Sequence, residues 1–209
     1  MSDSESITMY KSMGVNIVPI QKGGGKALMI SGGWKRYQSQ MYTDEIPTDQ
    51  DIAVICGKVS GDLIGLDLDH TREHNVLQSL LPKKNVLNST LVVQTGNGFH
   101  IYIRIKGGIL PRSTTLYHDT LKNSLNEPQS LEIKSNGSIL VGASSNHYDK
   151  DTNGKYFPSG KKYKIISDDN VGIWEITLKS NEDFLEALAS KGWRSSSQQQ
   201  VTLDNTDEA

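Results

Sequence analysis

Three short segments alternate apolar and polar residues with a period of two, the pattern of strands that bury one face. In residues 63–69 (LIGLDLD), Ile64, Leu66 and Leu68 take one face, and Asp67 and Asp69 share the other. In residues 99–106 (FHIYIRIK), Phe99, Ile101, Ile103 and Ile105 face a core, leaving His100, Tyr102, Arg104 and Lys106 together on the opposite side. In residues 130–134 (SLEIK), Leu131 and Ile133 point one way and Glu132 and Lys134 the other. Residues 15–20, 52–56 and 91–94 are predicted as further strands. Gly96-Asn97-Gly98 and Asn136-Gly137 are hairpin signals, the second expected to pair residues 130–134 with 138–142. After Thr71, the spacing of Val76, Leu77, Leu80 and Leu81 predicts a helix that Pro82 stops. Ser180 and Asp183 resemble a capping box, opening a helix with Phe184, Leu185 and Leu188 on its stripe and Gly192 at its end.

Residues 107–129 show no periodicity and are expected to leave the sheet. Residues 1–8 are predicted to be a disordered lead-in. Residues 195–209 hold no aromatic residue and three acids, so 194–209 is predicted to be a linker or tail, leading to a further domain. Residues 9–193 then form the folded unit, of the α/β (α+β) class because strands and helices mix and the hairpin signals point to antiparallel pairing.

The polar faces carry chemistry. Like charges about 4 Å apart repel by about 1 kcal/mol in water and about 4 near a protein surface. A strand that sets Asp67 and Asp69 side by side is therefore expected to supply a cation. Two solvated acids on an edge strand are the plainer alternative, but the aliphatic residues between them indicate a central strand. His100 is either a structural histidine or, beside Arg104, a group that faces an anion. With Glu132 and Lys134 these residues outline a cleft for divalent metal and polyphosphate.

Composition narrows the choices. The 209 residues carry a formal net charge of −2, which sets up no global basic field. Locally, residues 11–37 hold five Lys/Arg and no acid, and residues 134–164 hold six Lys against two Asp. Such patches suit phosphate tracking, and equally a solvated face. Cys56 is the only cysteine, which removes disulfide frameworks and Cys-rich zinc sites and suits a reducing, cytoplasmic setting. His70 and His74 have helical zinc-pair spacing but no Cys or third His nearby, so zinc is not expected. Lys22-Gly-Gly-Gly-Lys26 lacks the spacing and the Ser or Thr of a phosphate loop. No apolar run reaches 18 residues, and none is expected to span a membrane.

The order of these motifs resembles the primase–polymerase (prim-pol) domains of the archaeo-eukaryotic primase superfamily, in the plasmid, phage and bacterial branch. The resemblance runs from Gly14 to about Tyr163. It is carried by GVNIVPI and GGWKRYQ, with Lys26, Trp34, Lys35 and Gln38. It continues through GLDLDH with its paired acids at Asp67 and Asp69, TGNGFHIYIR with its histidine at His100, and LEIKSNGSILVGASSNHYDKDTNGKY with the third acid at Glu132. It departs from the family where Ala143-Ser144-Ser145 replaces Pro-Pro-Ser, and where Gly98 replaces a serine.

The resemblance implies a two-lobed fold with an RRM-like antiparallel sheet unit and an active site in the cleft between lobes. It implies a DNA primase/polymerase, a nucleotidyltransferase acting in replication or repair. Asp67, Asp69 and Glu132 would hold two Mg²⁺ or Mn²⁺ ions. His100, Lys134, Arg104 and His147 would meet the NTP or dNTP, and Lys26, Lys35 and Arg36 the single-stranded DNA template beside a primer strand. It further suggests a monomer, with a helicase domain in cis. Two alternatives stay open: a non-catalytic single-stranded-DNA or origin-binding module, and a metal-dependent nuclease.

Overall fold

The computed structural model describes residues 3–23, 33–71, 85–107, 110–169, 171–177 and 181–196. The helix expected after Thr71 and the residues Lys26 and Ser180 lie outside them. Helix α1 spans Asp3–Ser12, followed by strands β1 Ile17–Ile20, β2 Asp51–Ile55 and β3 Leu63–Leu68. Next come β4 Val92–Gln94, β5 Phe99–Lys106, β6 Thr114–Lys122, β7 Pro128–Lys134 and β8 Ile139–Val141. The chain continues through β9 Asn146–Lys150, β10 Tyr156–Lys162, β11 Lys164–Ile165 and β12 Trp174–Thr177. It closes with α2 Asn181–Ala189 and β13 Trp193–Arg194. No described helix is long and apolar enough to cross a membrane.

Eight strands form the main sheet in the order β11-β4-β5-β3-β7-β6-β13, with β12 pairing in parallel alongside the second half of β5. All the other pairs are antiparallel. β3 is central, as its Ile64, Leu66 and Leu68 require: they join Phe99, Ile101, Ile103, Ile105, Leu131 and Ile133 in one buried cluster. Phe184 and Leu188 of α2 and the fully buried Trp193 close that side. A small sheet, β1-β2-β8, belongs to a second cluster that includes Tyr10, Ile17, Val54, Leu140 and, from the main sheet, Leu63 and Tyr102. The main sheet is thus covered on part of both faces. β9 and β10 form a separate two-stranded ribbon.

Four expectations are corrected. Residues 3–8 are not part of a disordered lead-in, because α1 begins at Asp3. Its Tyr10 is fully buried and accepts the Ala143 N–H at 3.0 Å, and Ser6 Oγ lies 2.6 Å from Ser144 Oγ. One ring and two hydroxyl contacts hold a helix whose composition looks disordered. Much of 107–129 does not leave the sheet: β6 pairs with β7, but with only Leu116 fully inward it has little alternation to detect. Asn136-Gly137 does not close a hairpin, since β7 stays in the main sheet while β8 crosses to pair with β2. Finally, Arg194, expected in the linker, pairs with Tyr117 and holds Asp119 at 3.0 Å.

Candidate active site

Antiparallel register brings the sequence motifs together. Asp67 stands directly opposite His100 on β5 and Glu132 on β7. Directly opposed residues share a face, so three chemically active side chains line up across three strands. His100 Nε2 lies 3.3 Å from Asp67 Oδ1, and Lys134 Nζ lies 3.8 Å from Asp67 Oδ2 while bonding Glu132 Oε2. Asp67 and His100 side chains are only 12 % and 6 % exposed, whereas Glu132 keeps 40 %.

A cavity of about 180 Å³ opens over Asp67 and Asp69, lined also by Thr95, Asn97, His100, Leu140, Val141, His147 and Tyr163. Its turn is held tightly. Thr95 Oγ1 accepts the N–H groups of Gly98 and Asn97 at 2.8 and 3.2 Å. A Cβ on Gly98 would sit 1.7 Å from the Leu68 carbonyl oxygen, so a serine there requires the end of β3 to move. A Cβ on Gly96 would fall 2.2 Å from the His147 ring. These glycines let the turn approach β3 and His147 closely enough to wall the cavity. A larger cavity of about 770 Å³ lies between α1 and residues 165–172, away from the carboxylates.

Electrostatics follow the geometry. Burial, then the Asp67 charge, and further down Glu132, push the Asp69 carboxyl above its ordinary range. Burial pulls the Lys134 ammonium down, but its bond to Glu132 and the charges of Asp67, Glu132 and Asp69 outweigh that and raise it. Burial pushes the His147 imidazole down, with Lys161 adding and Asp149 opposing. Tyr163 is pushed up by burial and then by Asp67 and Asp69. Its ring stands between His100 and His147, with centroids 5.6 and 5.9 Å away.

The acids are hard oxygen donors of the kind Mg²⁺ and Mn²⁺ take. The grouping of Asp67, Asp69 and Glu132 and the ammonium drawn in among these carboxylates fit a cation at this place. Among the described residues, no three His, Cys, Asp or Glu side chains are gathered closely enough to share one ion as they stand. Lys134 occupies the space between Asp67 and Glu132.

The remaining expected residues divide. His147 joins the cavity wall, its Nδ1 2.9 Å from Ser159 Oγ. Arg104 does not face the cavity: it donates to the carbonyls of Met13 and Ser60, tying the end of α1 to the loop before β3. Tyr102, on the same face, is fully buried. Lys35 and Arg36 are exposed in a 3₁₀ turn, Lys35–Gln38, with the Arg36 guanidinium 4.6 Å over the Tyr37 ring. Gln38 accepts the Gly137 N–H at 2.9 Å, which sets this turn beside the end of β7. Tyr163 and Asn97 are not among the site residues that the sequence singles out. Asn97 sits in a recognisable turn, whereas Tyr163 has no local signal at all.

Against curated proteins the chain finds no significant match. Among family models, that of Prim-Pol, the N-terminal domain of bifunctional DNA primase/polymerases, matches residues 8–177, most of the chain. The chain belongs to the Prim-Pol family of bifunctional DNA primase/polymerase N-terminal domains.

Proposed function

We propose that the chain catalyses template-directed nucleotidyl transfer, joining nucleotides from NTPs or dNTPs to a 3′-hydroxyl on single-stranded DNA. The observation that carries this reading is the register that sets Asp67 between His100 and Glu132, with Asp69 on the same cavity. Asp67, Asp69 and Glu132 would hold two Mg²⁺ or Mn²⁺ ions. Bound there, such ions supply Lewis-acid stabilisation of the leaving pyrophosphate and lower the pKa of the attacking hydroxyl.

The chain's own residues do the rest. His100, buried against Asp67, fixes the orientation of that carboxylate. Lys134 neutralises the carboxylates when they are empty and is free to turn to a triphosphate once they are not; fixed cations act most where charge develops. His147, kept largely neutral by its burial, offers a hydrogen bond rather than a full charge at the cavity wall. Lys35 and Arg36 follow the template on the β7 side.

The test is incorporation of labelled nucleotides on a single-stranded template with Mn²⁺ or Mg²⁺, comparing wild type with Asp67→Asn. Wild type is expected to extend a primer, with activity lost in EDTA. Asp67→Asn is expected to fall by at least about a thousand-fold, the effect of several kcal/mol at the transition state. Strand degradation without nucleotides would convert the reading to a nuclease. DNA binding with no metal-dependent chemistry would convert it to a replication-binding module.

A further inference from the structure

The β9–β10 ribbon carries what the sheet faces lack. Its strands pair only with each other, and β10 is exposed along almost its whole length. Residues 146–164 hold Lys150, Lys155, Lys161, Lys162 and Lys164 against Asp149 and Asp151. Of the two acids, Asp151 is engaged in the ribbon's own turn. Asp151 Oδ1 accepts the N–H groups of Asn153 and Lys155 at 2.9 and 2.8 Å, closing the turn, and Asp149 lies 3.8 Å from His147 Nδ1. Lys162 Nζ lies 3.5 Å from Asp3 Oδ1 of α1, but the five lysines still outnumber the acids around them, so the ribbon offers net positive charge outward. It also bears the two large aromatic side chains most open to solvent among the described residues, Tyr156 at 43 % and Phe157 at 47 %. Adjacent exposed rings among cations mark a partner that is anionic and presents flat apolar faces.

Register decides where each ring looks. Tyr156 opposes Lys150, Phe157 opposes Asp149, and Pro158 opposes Tyr148. Tyr156 accordingly lies under the Lys150 ammonium, 5.5 Å from its ring centre. Phe157 shares the other face with Asp149, His147 and Ser159, and His147 lines the cavity over Asp67 and Asp69. At the base of the ribbon Lys161 Nζ donates to the Gly96 carbonyl at 2.8 Å. Lys161 and Lys162 line an adjoining cavity of about 430 Å³ that shares Thr95 and Asn97 with the first.

We infer that this ribbon is a platform for single-stranded nucleic acid, on which Phe157 stacks against an unpaired base while Lys155, Lys161 and Lys162 neutralise the phosphates leading toward the carboxylates. A single strand fits better than a duplex, because a ring on a narrow ribbon needs a base whose face is already unstacked. The direction of the strand rests on the nucleotidyl-transfer reading; its binding does not.

Fluorescence anisotropy with a labelled oligothymidylate, in EDTA and without nucleotides, tests the platform on its own. Phe157→Ala is expected to weaken binding about five- to a hundred-fold, with Phe157→Trp restoring it. The slope of log affinity against log salt should be unchanged in Phe157→Ala. In Lys161→Ala and Lys162→Ala it should shrink by about 0.7 for each phosphate that the protein no longer neutralises. Binding of a duplex of equal length should not respond to Phe157→Ala. Equal single-strand affinities for wild type and a folded Phe157→Ala, or an equal loss on duplex, would overturn the inference. A protein that binds through Phe157 but incorporates no nucleotide would keep the platform and remove the proposed reaction; incorporation that ignores Phe157 would do the reverse.

Discussion

The same face of β3 and β5 leads two different lives. At one end, Leu63 and Tyr102 are fully buried, Tyr102 6.1 Å from the Tyr10 ring, and Arg104 is spent on backbone carbonyls. At the other end, a few residues further along the same strands, Asp67 and His100 border a cavity. The difference is the cover. α1 and the β1-β2-β8 sheet lie over the first end, and the seam falls at Gly65, where a Cβ would meet Leu140 at 2.2 Å. Beyond that seam the end of β8, the turn at Thr95 and Asn97, His147 of the ribbon and Tyr163 wall the space. Alternation assigns a side chain to a face; what covers that face decides whether it packs or reacts.

The widest gap between the two ends should appear on truncating neighbours on β5. Tyr102→Ala removes a wholly buried ring and is expected to cost about 3–5 kcal/mol. At about 2–4 °C per kcal/mol in a chain of this size, that is a fall in melting temperature of roughly 6–20 °C. His100→Ala removes a smaller ring that borders the cavity, so less packing is lost. Its expected cost is under about 2 kcal/mol, with the main loss in nucleotide incorporation. Thermal melts and primer extension on both variants check the contrast. Similar melting losses would make His100 part of the packed end.

How far the sequence discloses this arrangement follows from the same division. Period-two alternation locates β3, β5 and β7 and puts Asp67, Asp69, His100 and Glu132 on their proper faces, because that signal is local and strong. It also puts Tyr102 and Arg104 beside His100 on that face, but nothing local tells that Tyr10 and Met13 will arrive on top of them. Asn136-Gly137 turns the chain as expected, but the destination of β8 is set by Ile52, Val54 and Leu140 packing at long range. β6 escapes notice because a strand with one inward residue has little pattern to show. Tyr163 is invisible for a related reason: its place between two histidines depends on three separate strands and their connections. The exposed rings of Tyr156 and Phe157 fall on a ribbon outside the sheet faces, where alternation between core and solvent has nothing to report.

A middle-sized effect is expected at Lys134, which fills at the open end the role that packing fills at the covered one. Its ammonium holds Asp67 and Glu132 together in the absence of other cations. Lys134→Met removes that competitor and is expected to tighten Mn²⁺ binding to the nucleotide-free protein by about tenfold, or about 1.4 kcal/mol. Triphosphate binding should weaken at the same time. Titration with Mn²⁺ followed by electron paramagnetic resonance measures the first, and the KM for nucleotide the second. Weaker Mn²⁺ binding in the variant would show that Lys134 arranges the acids rather than competing for them.

The smallest effect sharpens the comparison through a histidine that belongs to packing alone. His118 on β6 is not among the residues that line the cavity over Asp67 and Asp69, and stands edge-on to Trp193 at 5.0 Å. Its Nδ1 accepts the N–H groups of Thr120 and Leu121 at 3.1 and 2.9 Å, a role only the neutral ring can fill. Burial pushes its pKa below the ordinary 6.5, with a bond to the Lys191 carbonyl and the Asp119 charge opposing. For a group with a lowered folded pKa, the stabilising contribution is complete above the unfolded value. It is lost as pH falls through 6.5 toward the folded value. Wild type should therefore melt slightly lower as pH drops below about 6.5. Trp193 fluorescence should change with it, because the turn that presents β13 loosens first. His118→Asn keeps an acceptor for both amides without a titration in this range, and should flatten this part of the acid slope. A remainder should persist from His147, whose pKa is also lowered. An acid slope identical in wild type and His118→Asn would assign the whole of it to the open end.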